Sequence, residues 1–86
     1  MKKEISSKII IDYKICHGKP AINGTRIMVW QILDLLENGC TFKEIIKDYF
    51  PQLSKDDIKA CIHYANSIVK NEEILFSEDL KYAVSY

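Results

Sequence analysis

The middle of the chain repeats apolar residues with the period of an α-helix. Three segments carry them at positions i, i+3, i+4 and i+7, which places them on one face of a helix. The first has Val29, Ile32, Leu33 and Leu36; the second has Phe42, Ile45, Ile46 and Tyr49; the third has Ile58, Cys61, Ile62, Ala65, Ile68 and Val69. The pattern predicts three helices. In the first, Trp30 and Leu35 widen the apolar stripe, which indicates burial on two sides, as at a dimer interface.

Start and stop signals bound each predicted helix. Asn38-Gly39 provides the stop of the first helix, since glycine commonly follows a helix C-terminus. Thr41–Glu44 forms a capping box ahead of the second, and Pro51 ends that helix. Ser54–Asp57 is the N-terminal signal of the third.

The first 28 residues predict β-structure instead. Lys8–Tyr13 is rich in β-branched residues and has the length of a strand. Pro20–Ile22 and Thr25–Ile27 flank Asn23-Gly24, the pair favoured in a type I′ turn, so this stretch predicts a hairpin. Lys19 precedes a proline and is restricted to an extended conformation, which prevents a helix from starting there.

The chain therefore predicts one mainly α domain with a short N-terminal β region. A strand and hairpin segment (1–28) precedes a three-helix core (29–72) and a C-terminal tail (73–86). Because 86 residues support only a modest core, we expect a homodimer that buries further apolar surface. No apolar run reaches the roughly 18 residues of a membrane span, and three irregularly spaced cysteines fit a reducing compartment. We expect a cytoplasmic protein.

Charge is unevenly distributed although the formal net charge is zero. Residues 1–28 carry six basic and two acidic side chains, net +4. Residues 29–86 carry six basic and ten acidic side chains, net −4. The neutral total disfavours nucleic-acid binding, but a chain polarised in this way is typical of proteins with a different partner at each end.

The second and third predicted helices, joined by Phe50–Leu53, have the dimensions of a helix-turn-helix, whose second helix lies in the DNA major groove. Asp56 and Asp57 oppose DNA binding because carboxylates repel phosphates, although Asp57 also suits the helix dipole. A plain helix pair with solvated outer faces fits the same spacing. The candidate DNA-binding residues are Lys55, Lys59 and His63 on the third helix, and Lys43 and Lys47 on the second.

Other chemistry has little support in the residue pattern. Gly18-Lys19 is followed by a proline, and no glycine lies five residues earlier, so a Walker loop is absent. Cys61 and His63 point to different faces of a helix, and no spacing matches a zinc site. No serine, cysteine or histidine lies in a nucleophile signature. We therefore expect no enzyme, no metal and no cofactor.

The tail combines acidic and apolar residues without a clear period. Such a segment would either fold onto a basic, partly apolar groove of another protein or pack on its own domain. The side chains available for an outside partner are Leu75, Phe76, Glu78, Asp79, Leu80 and Tyr82.

Two motifs together resemble a known family. The first, C-x-G-K-P-x-I-x-G-T-R, is matched by Cys16, Gly18, Lys19, Pro20, Ile22, Gly24, Thr25 and Arg26. The second, which begins Y-P-x-L-[ST]-x-x-D-I, is matched by Tyr49, Pro51, Leu53, Ser54, Asp57 and Ile58. These motifs are typical of the bacterial family called domain of unknown function 433, and the resemblance covers roughly residues 9–72. Met28 replaces the usual proline of that family, and Phe50 is inserted before the proline of the second motif.

The resemblance implies a homeodomain-like helix-turn-helix that is commonly dimeric. It also implies the antitoxin of a toxin–antitoxin pair, which neutralises a PIN-like ribonuclease toxin and binds operator DNA. A ribonuclease groove is basic or metal-lined and would suit the acidic tail. The alternative is a protein-interaction module with a helix-turn-helix shape and no DNA binding, which the neutral charge and Asp56 favour.

The first motif is expected to be a scaffold element and not an active site. Pro20 enforces an extended chain, and Asn23-Gly24 makes the turn. Lys19 and Arg26 have no such structural necessity. They would contact DNA phosphates, face a partner subunit, or pair with carboxylates such as Asp34 or Asp48.

Overall fold

A computed structural model describes the backbone of residues 2–83 and the side chains of residues 5–70. In chain order the elements are β1 (Lys2–Glu4), β2 (Ile9–Asp12), a short turn of 3-10 type (Cys16–Gly18), β3 (Ala21–Ile22), α1 (Val29–Glu37), α2 (Phe42–Glu44), a π-helical segment (Ile45–Tyr49) and α3 (Lys55–Ala83). The π-helical segment continues α2. The prediction of a mainly helical domain, with three helices after an antiparallel hairpin, is confirmed.

The three strands form one antiparallel sheet in the order β1-β2-β3. Lys3 of β1 lies opposite Ile11 of β2, and Ile9 of β2 lies opposite Ile22 of β3. The predicted strand at Lys8–Tyr13 is thus the central strand. The sequence did not predict β1, because its three residues are polar and form a strand only by pairing with β2.

The turn at Asn23-Gly24 differs from the prediction. The Thr25 N–H donates to the Ile22 carbonyl (3.0 Å), and the Ile22 N–H donates to the Ile27 carbonyl (2.9 Å), so the chain does reverse there. Only Gly24 has a positive φ (83°), which fits a type II turn, whereas type I′ requires a positive φ at both central residues. Thr25–Ile27 is not a strand, although an isolated antiparallel bridge joins Ala21 of β3 to Met28 beyond the turn, and β3 also pairs with β2.

α1 ends at the predicted stop. The Gly39 N–H donates to the Leu36 carbonyl (3.0 Å) and the Cys40 N–H donates to the Leu35 carbonyl (3.0 Å). With Gly39 at a φ of 92°, these two bonds form a Schellman motif, which satisfies the last carbonyls of the helix.

α2 begins with the predicted capping box and then widens. The Glu44 N–H donates to Thr41 Oγ1 (3.1 Å), and the Thr41 N–H donates to Glu44 Oε1 (2.9 Å). The Phe50 N–H then donates to the Ile45 carbonyl (2.8 Å), five residues earlier. This π-helical bond encloses one residue more than an α-helical bond, so the helix widens by one residue ahead of Pro51.

α3 is a single helix of 29 residues, and the predicted boundary between core and tail at residue 72 falls inside it. Within the described backbone, no helix combines the length and the apolar character that a membrane span requires. The N-terminus of α3 is capped by Ser54, whose Oγ accepts from the Asp57 N–H (3.2 Å), while Asp57 Oδ2 accepts from the Ser54 N–H (2.9 Å).

The core lies between the sheet and the helices. It draws side chains from β2, β3, the segment that follows the turn, α1, the π-helical segment and α3. The buried members are Ile9, Ile22, Ile27, Val29, Ile32, Ile45, Leu53, Ile58 and Cys61. Of the stripe predicted for α3, Ile58 and Cys61 are fully buried in the core, whereas Ile62 and Val69 are exposed, so only part of that stripe faces the core.

Asp57 also joins α3 to the sheet. Lys8, which directly precedes β2, places its Nζ 3.1 Å from Asp57 Oδ1, and this is the one ion pair between described side chains. Burial raises the pKa of Asp57, but hydrogen bonds from the Ser54 backbone and from Lys8 outweigh burial and hold that pKa below its ordinary value of 3.8. The folded state therefore favours the ionised carboxylate.

Asp57→Asn should destabilise the domain by about 1–2 kcal/mol at neutral pH, because both the cap and the ion pair are weakened. The native pKa is lowered, so the contribution is complete above the ordinary pKa and is lost as pH falls through the native pKa. Urea unfolding at neutral pH and below pH 3.8 measures the difference between wild type and variant. Asp56→Asn, the exposed neighbouring carboxylate, is the matched control. A constant difference across this range would contradict the assignment.

Candidate functional site

The pair formed by α2 with its π-helical extension and α3 is connected by a short, tightly held turn. The Leu53 N–H donates to the Phe50 carbonyl (3.0 Å), and the Leu53 side chain is buried in the core. Leu53 therefore fixes the turn from inside, while Pro51 and Gln52 are exposed. This arrangement sets the angle at which α3 leaves the domain.

One face of α3 carries a row of exposed basic residues. Lys55, Lys59 and His63 recur every four residues and are all exposed, whereas Ile58 and Cys61 are fully buried on the opposite side. The structure thus brings together the three α3 residues that the sequence proposed for DNA binding. Lys43 on α2 and Lys47 on the π-helical segment are exposed as well.

The two acidic residues near this row differ in their surroundings. Asp56 is exposed. Asp57 is largely buried, with 17% of its side chain exposed, and both of its oxygens are engaged by Lys8 and by the Ser54 N–H. The charge of Asp57 is therefore balanced within the domain, and only Asp56 presents a free carboxylate beside the basic row.

A large apolar cleft lies on another side of α3, against α1. Its volume is about 700 Å³, and its walls come from α1, α3 and the segment between β2 and β3. Trp30 and Val69 line it and are 48% and 53% exposed. The Trp30 Nε1–H donates to the sulfur of Met28 (3.2 Å), which also lines the cleft. Burial raises the pKa of Tyr64, another wall residue.

The wall between β2 and β3 is built on unusual backbone. Cys16, His17 and Gly18 have φ values of 54°, 56° and 81° in succession. Such conformations cost non-glycine residues about 1–3 kcal/mol each and persist only where the surroundings enforce them. Here the Lys19 N–H donates to the Cys16 carbonyl (3.1 Å), and the Cys16 thiol donates to the Arg26 carbonyl (3.4 Å).

A second groove of about 680 Å³ adjoins the cleft. The two share Leu33, Ala65 and Val69 as lining residues, so they lie on either side of one apolar ridge. Ile62, which is 39% exposed, lines the second groove together with Lys59 and His63. The basic row of α3 therefore borders this apolar surface. Sequence reasoning found Trp30 as an unusual apolar residue but did not locate the cleft, because its walls come from three separate segments.

The first motif has the geometry of a connector between the sheet and α1. The Asn23 N–H donates to the Lys8 carbonyl (2.7 Å), and the Val29 N–H donates to the Pro20 carbonyl (2.9 Å). Thr25 Oγ1 donates to the Ile22 carbonyl (2.8 Å) and accepts from the Ile27 N–H (3.0 Å). These hydrogen bonds of the motif are therefore made to backbone groups of the same domain.

Lys19 and Arg26 are both exposed. Among the described side chains, neither forms an ion pair with Asp34 or Asp48. Lys19 stands at the rim of the apolar cleft, and Arg26 lines a separate, smaller pocket with Asp12. Two of the three roles considered for Lys19 and Arg26 therefore remain: contact with DNA and contact with a partner subunit.

The cysteine, histidine and acidic side chains in the described part of the chain are not grouped as metal ligands. No group of three histidine, cysteine or acidic side chains there is arranged to hold a metal ion. Burial, with a smaller contribution from the Asp57 carboxylate, raises the pKa of the Cys61 thiol to about 12. Cys61 is therefore a neutral core residue, while Cys16 and Cys40 are partly exposed.

The predicted toxin-binding residues lie beyond the described side chains. These residues are Leu75, Phe76, Glu78, Asp79, Leu80 and Tyr82. Their backbone belongs to α3.

Comparison with known proteins places the chain in a structural context. A family model described as "Protein of unknown function (DUF433)" matches residues 9–65. The crystal structure of a DUF433 member protein from Anabaena variabilis is similar, with 31% sequence identity and a TM-score of 0.66 over 86% of this chain and 69% of that chain. No curated protein matches the chain.

Thiol labelling of the native protein at mildly alkaline pH should modify two cysteines quickly and the third only as the domain unfolds. The thiolate is the reactive form, and Cys61 is both buried and held as a thiol, whereas Cys16 and Cys40 are accessible. Mass spectrometry over time measures the three rates. Cys61→Ser should remove only the slow phase. Three equal rates would contradict the buried position of Cys61.

Proposed function

The chain belongs to the DUF433 family, whose function is unknown, and we propose that it is an antitoxin that neutralises a PIN-like ribonuclease and, as a homodimer, binds its own operator DNA. The observation that carries the DNA-binding part is the exposed row of Lys55, Lys59 and His63 on α3. A helix that follows a short turn and bears a basic outer face is the element that helix-turn-helix proteins place in the major groove.

Electrostatics support this use of α3. Lys55 lies exposed in the first turn of the helix, beside the groove-facing end that a helix-turn-helix places against DNA, where a lysine contacts phosphate. Asp57, which weighed against DNA binding in the sequence, is neutralised locally by Lys8 and by its cap. Lys43 and Lys47 would contact the phosphates beside the groove, which adds affinity without specificity.

The ribonuclease part of the proposal is supported by chemistry at the other end of the chain. Residues 72–79 include four acidic side chains, and apolar Leu75, Phe76 and Leu80 are interleaved with them. A ribonuclease groove carries positive charge because it binds the RNA backbone. An acidic segment with apolar anchors fits such a groove and would exclude the RNA.

A second candidate function is a protein-interaction module that does not bind DNA. The observation in its favour is the exposure of Trp30 and Val69 beside the apolar cleft, since large exposed apolar surfaces mark protein-binding sites. The exposed Asp56 carboxylate and the zero net charge also favour it.

Lys55→Glu combined with Lys59→Glu should abolish operator binding, because two phosphate-attracting groups become phosphate-repelling ones. Mobility shift or fluorescence anisotropy on the promoter fragment of the chain's own gene, measured over a salt series, is the test. Where binding is still measurable, each lost phosphate contact should make the negative slope of log affinity against log salt less steep by about 0.9. Ribonuclease inhibition should survive in the same variant.

Charge-matched single variants provide the control. Lys55→Glu and Lys14→Glu change the net charge equally, but Lys14 is an exposed residue next to the central strand and far along the sequence from α3. Only Lys55→Glu should weaken operator binding. Equal losses would show a non-specific charge effect, and wild-type protein that fails to bind the promoter would favour the interaction module.

Leu75→Asp combined with Phe76→Asp should abolish inhibition of the ribonuclease while operator binding remains. The apolar anchors are lost, and added negative charge cannot replace them in an apolar part of the groove. The assay is RNA cleavage by the co-expressed product of the neighbouring gene, with purified antitoxin added back. Lys55→Glu plus Lys59→Glu is the reciprocal control. Full inhibition by the tail variant would place the contact elsewhere.

A further inference from the structure

One free carboxylate lies within the basic outer face of α3. Asp56 is the second residue of the helix, directly after Lys55, and both side chains are exposed. At about 100° of rotation per residue, Asp56 lies about 60° around the helix from Lys59 and about 20° from His63. The carboxylate therefore belongs to the same exposed face as the basic row and not to a separate side of the helix.

Asp56 is not neutralised inside the described part of the domain. Lys59, three residues along the helix, has a spacing that permits an ion pair. The one ion pair between described side chains nevertheless joins Lys8 to Asp57. The cap of the helix likewise uses Asp57 and Ser54. The Asp56 carboxylate is thus available to accept a hydrogen bond from a partner.

A free carboxylate beside DNA has one favourable environment. Next to the phosphate backbone it is repelled, which lowers affinity for every sequence. At the edges of the bases in the major groove it accepts a hydrogen bond, and aspartate pairs in this way with the N4 amine of cytosine. Adenine also carries an amine on that edge, but its neighbouring N7 is an acceptor and repels a carboxylate. Cytosine is therefore the base that an aspartate selects.

The position of Asp56 along α3 suits contact with bases. A recognition helix contacts base edges with the residues of its N-terminal end. Lys55 and Asp56 are the first two residues of α3, and Lys59 follows one turn later. A lysine donates to the O6 and N7 of guanine, the base that pairs with cytosine. An aspartate and a lysine at neighbouring positions therefore present an acceptor and a donor, which complement the two halves of one G·C pair.

We propose that Asp56 is a specificity-determining residue that accepts a hydrogen bond from the N4 amine of a cytosine in the operator. The inference rests on the DNA-binding part of the proposed function and names the base that α3 selects. Lys43 and Lys47, which are exposed, attract the phosphates of any duplex. Asp56 acts in the opposite way, because it lowers the affinity for most sequences and restores it where an amine meets the carboxylate.

The neutral charge of the chain makes each base contact more important. The formal net charge is zero, and non-specific affinity for DNA comes from the positive charge of a protein. A weakly attracted protein depends on base contacts for its site to compete with all other DNA. A carboxylate among the lysines of α3 strengthens this dependence, because it weakens the phosphate attraction that all sequences share.

The test is a binding selection from a library of duplexes with a randomised central segment, carried out with wild type, Asp56→Ala and Asp34→Ala. Wild type should select a site that contains cytosine. Asp56→Ala should keep the rest of that site and lose the preference for cytosine at one position, by about tenfold against thymine, whose O4 is an acceptor. Asp34→Ala is the matched control, since it removes an exposed carboxylate of α1 and should leave every preference unchanged.

Fluorescence anisotropy then separates base recognition from charge. On a duplex of unrelated sequence, Asp56→Ala should bind as tightly as wild type or more tightly, because a phosphate-repelling group is removed. Asp56→Asn introduces an amide that both donates and accepts, so it should shift the preference at the same position towards adenine. A purely structural role of Asp56 at the start of α3 would move no single base preference and would lower the affinity for all duplexes together.

Three outcomes would overturn the inference while operator binding by wild type stands. The first is a selected site with the same base preferences for wild type and Asp56→Ala. The second is a preference lost at a base other than cytosine. The third is an equal loss of affinity for every duplex. Wild-type protein that enriches no sequence from the library gives a different result, which overturns the DNA-binding part of the proposed function and the role of Asp56 with it.

Discussion

Asp57 joins the sheet to the long helix through both oxygens of one carboxylate. One oxygen accepts from Lys8 at the start of β2, and the other accepts from the Ser54 N–H at the start of α3. The first turn of α3 is thereby tied to the sheet. Burial of Ile58 and Cys61 turns one face of the helix inward, and the attachment at Asp57 holds the start of the helix in the matching position. The remaining faces of α3 are presented in fixed directions by these two constraints together.

Local signals were sufficient to predict the helices of this chain. The residues that cap α2 and α3 make the predicted bonds, and the glycine after α1 adopts the expected conformation. These features could be predicted because each depends on residues within four or five positions of one another. The spacing of Lys55, Lys59 and His63 likewise placed them on one exposed face.

Features that depend on distant contacts were not predictable in the same way. The strand β1 forms only because β2 offers it an edge, and β3 pairs with β2 as well as with Met28 beyond the turn. Cys16 and His17 adopt left-handed conformations that their residue types do not indicate. No regular apolar spacing in residues 74–83 predicts that α3 continues through them. For β1 and the segment between β2 and β3, the information lies in tertiary contacts.

The π-helical segment has a consequence for how this domain tolerates a change of length. It stores one additional residue before Pro51 while Ile45 and Leu53, on either side, both remain in the core. An insertion at this point therefore alters neither the anchoring of α2 nor the start of α3. It alters only the exposed corner between them, where more than half of the Tyr49 surface is exposed. That corner is consequently a place where a change of length would alter the exposed surface and leave the buried anchors on either side in place.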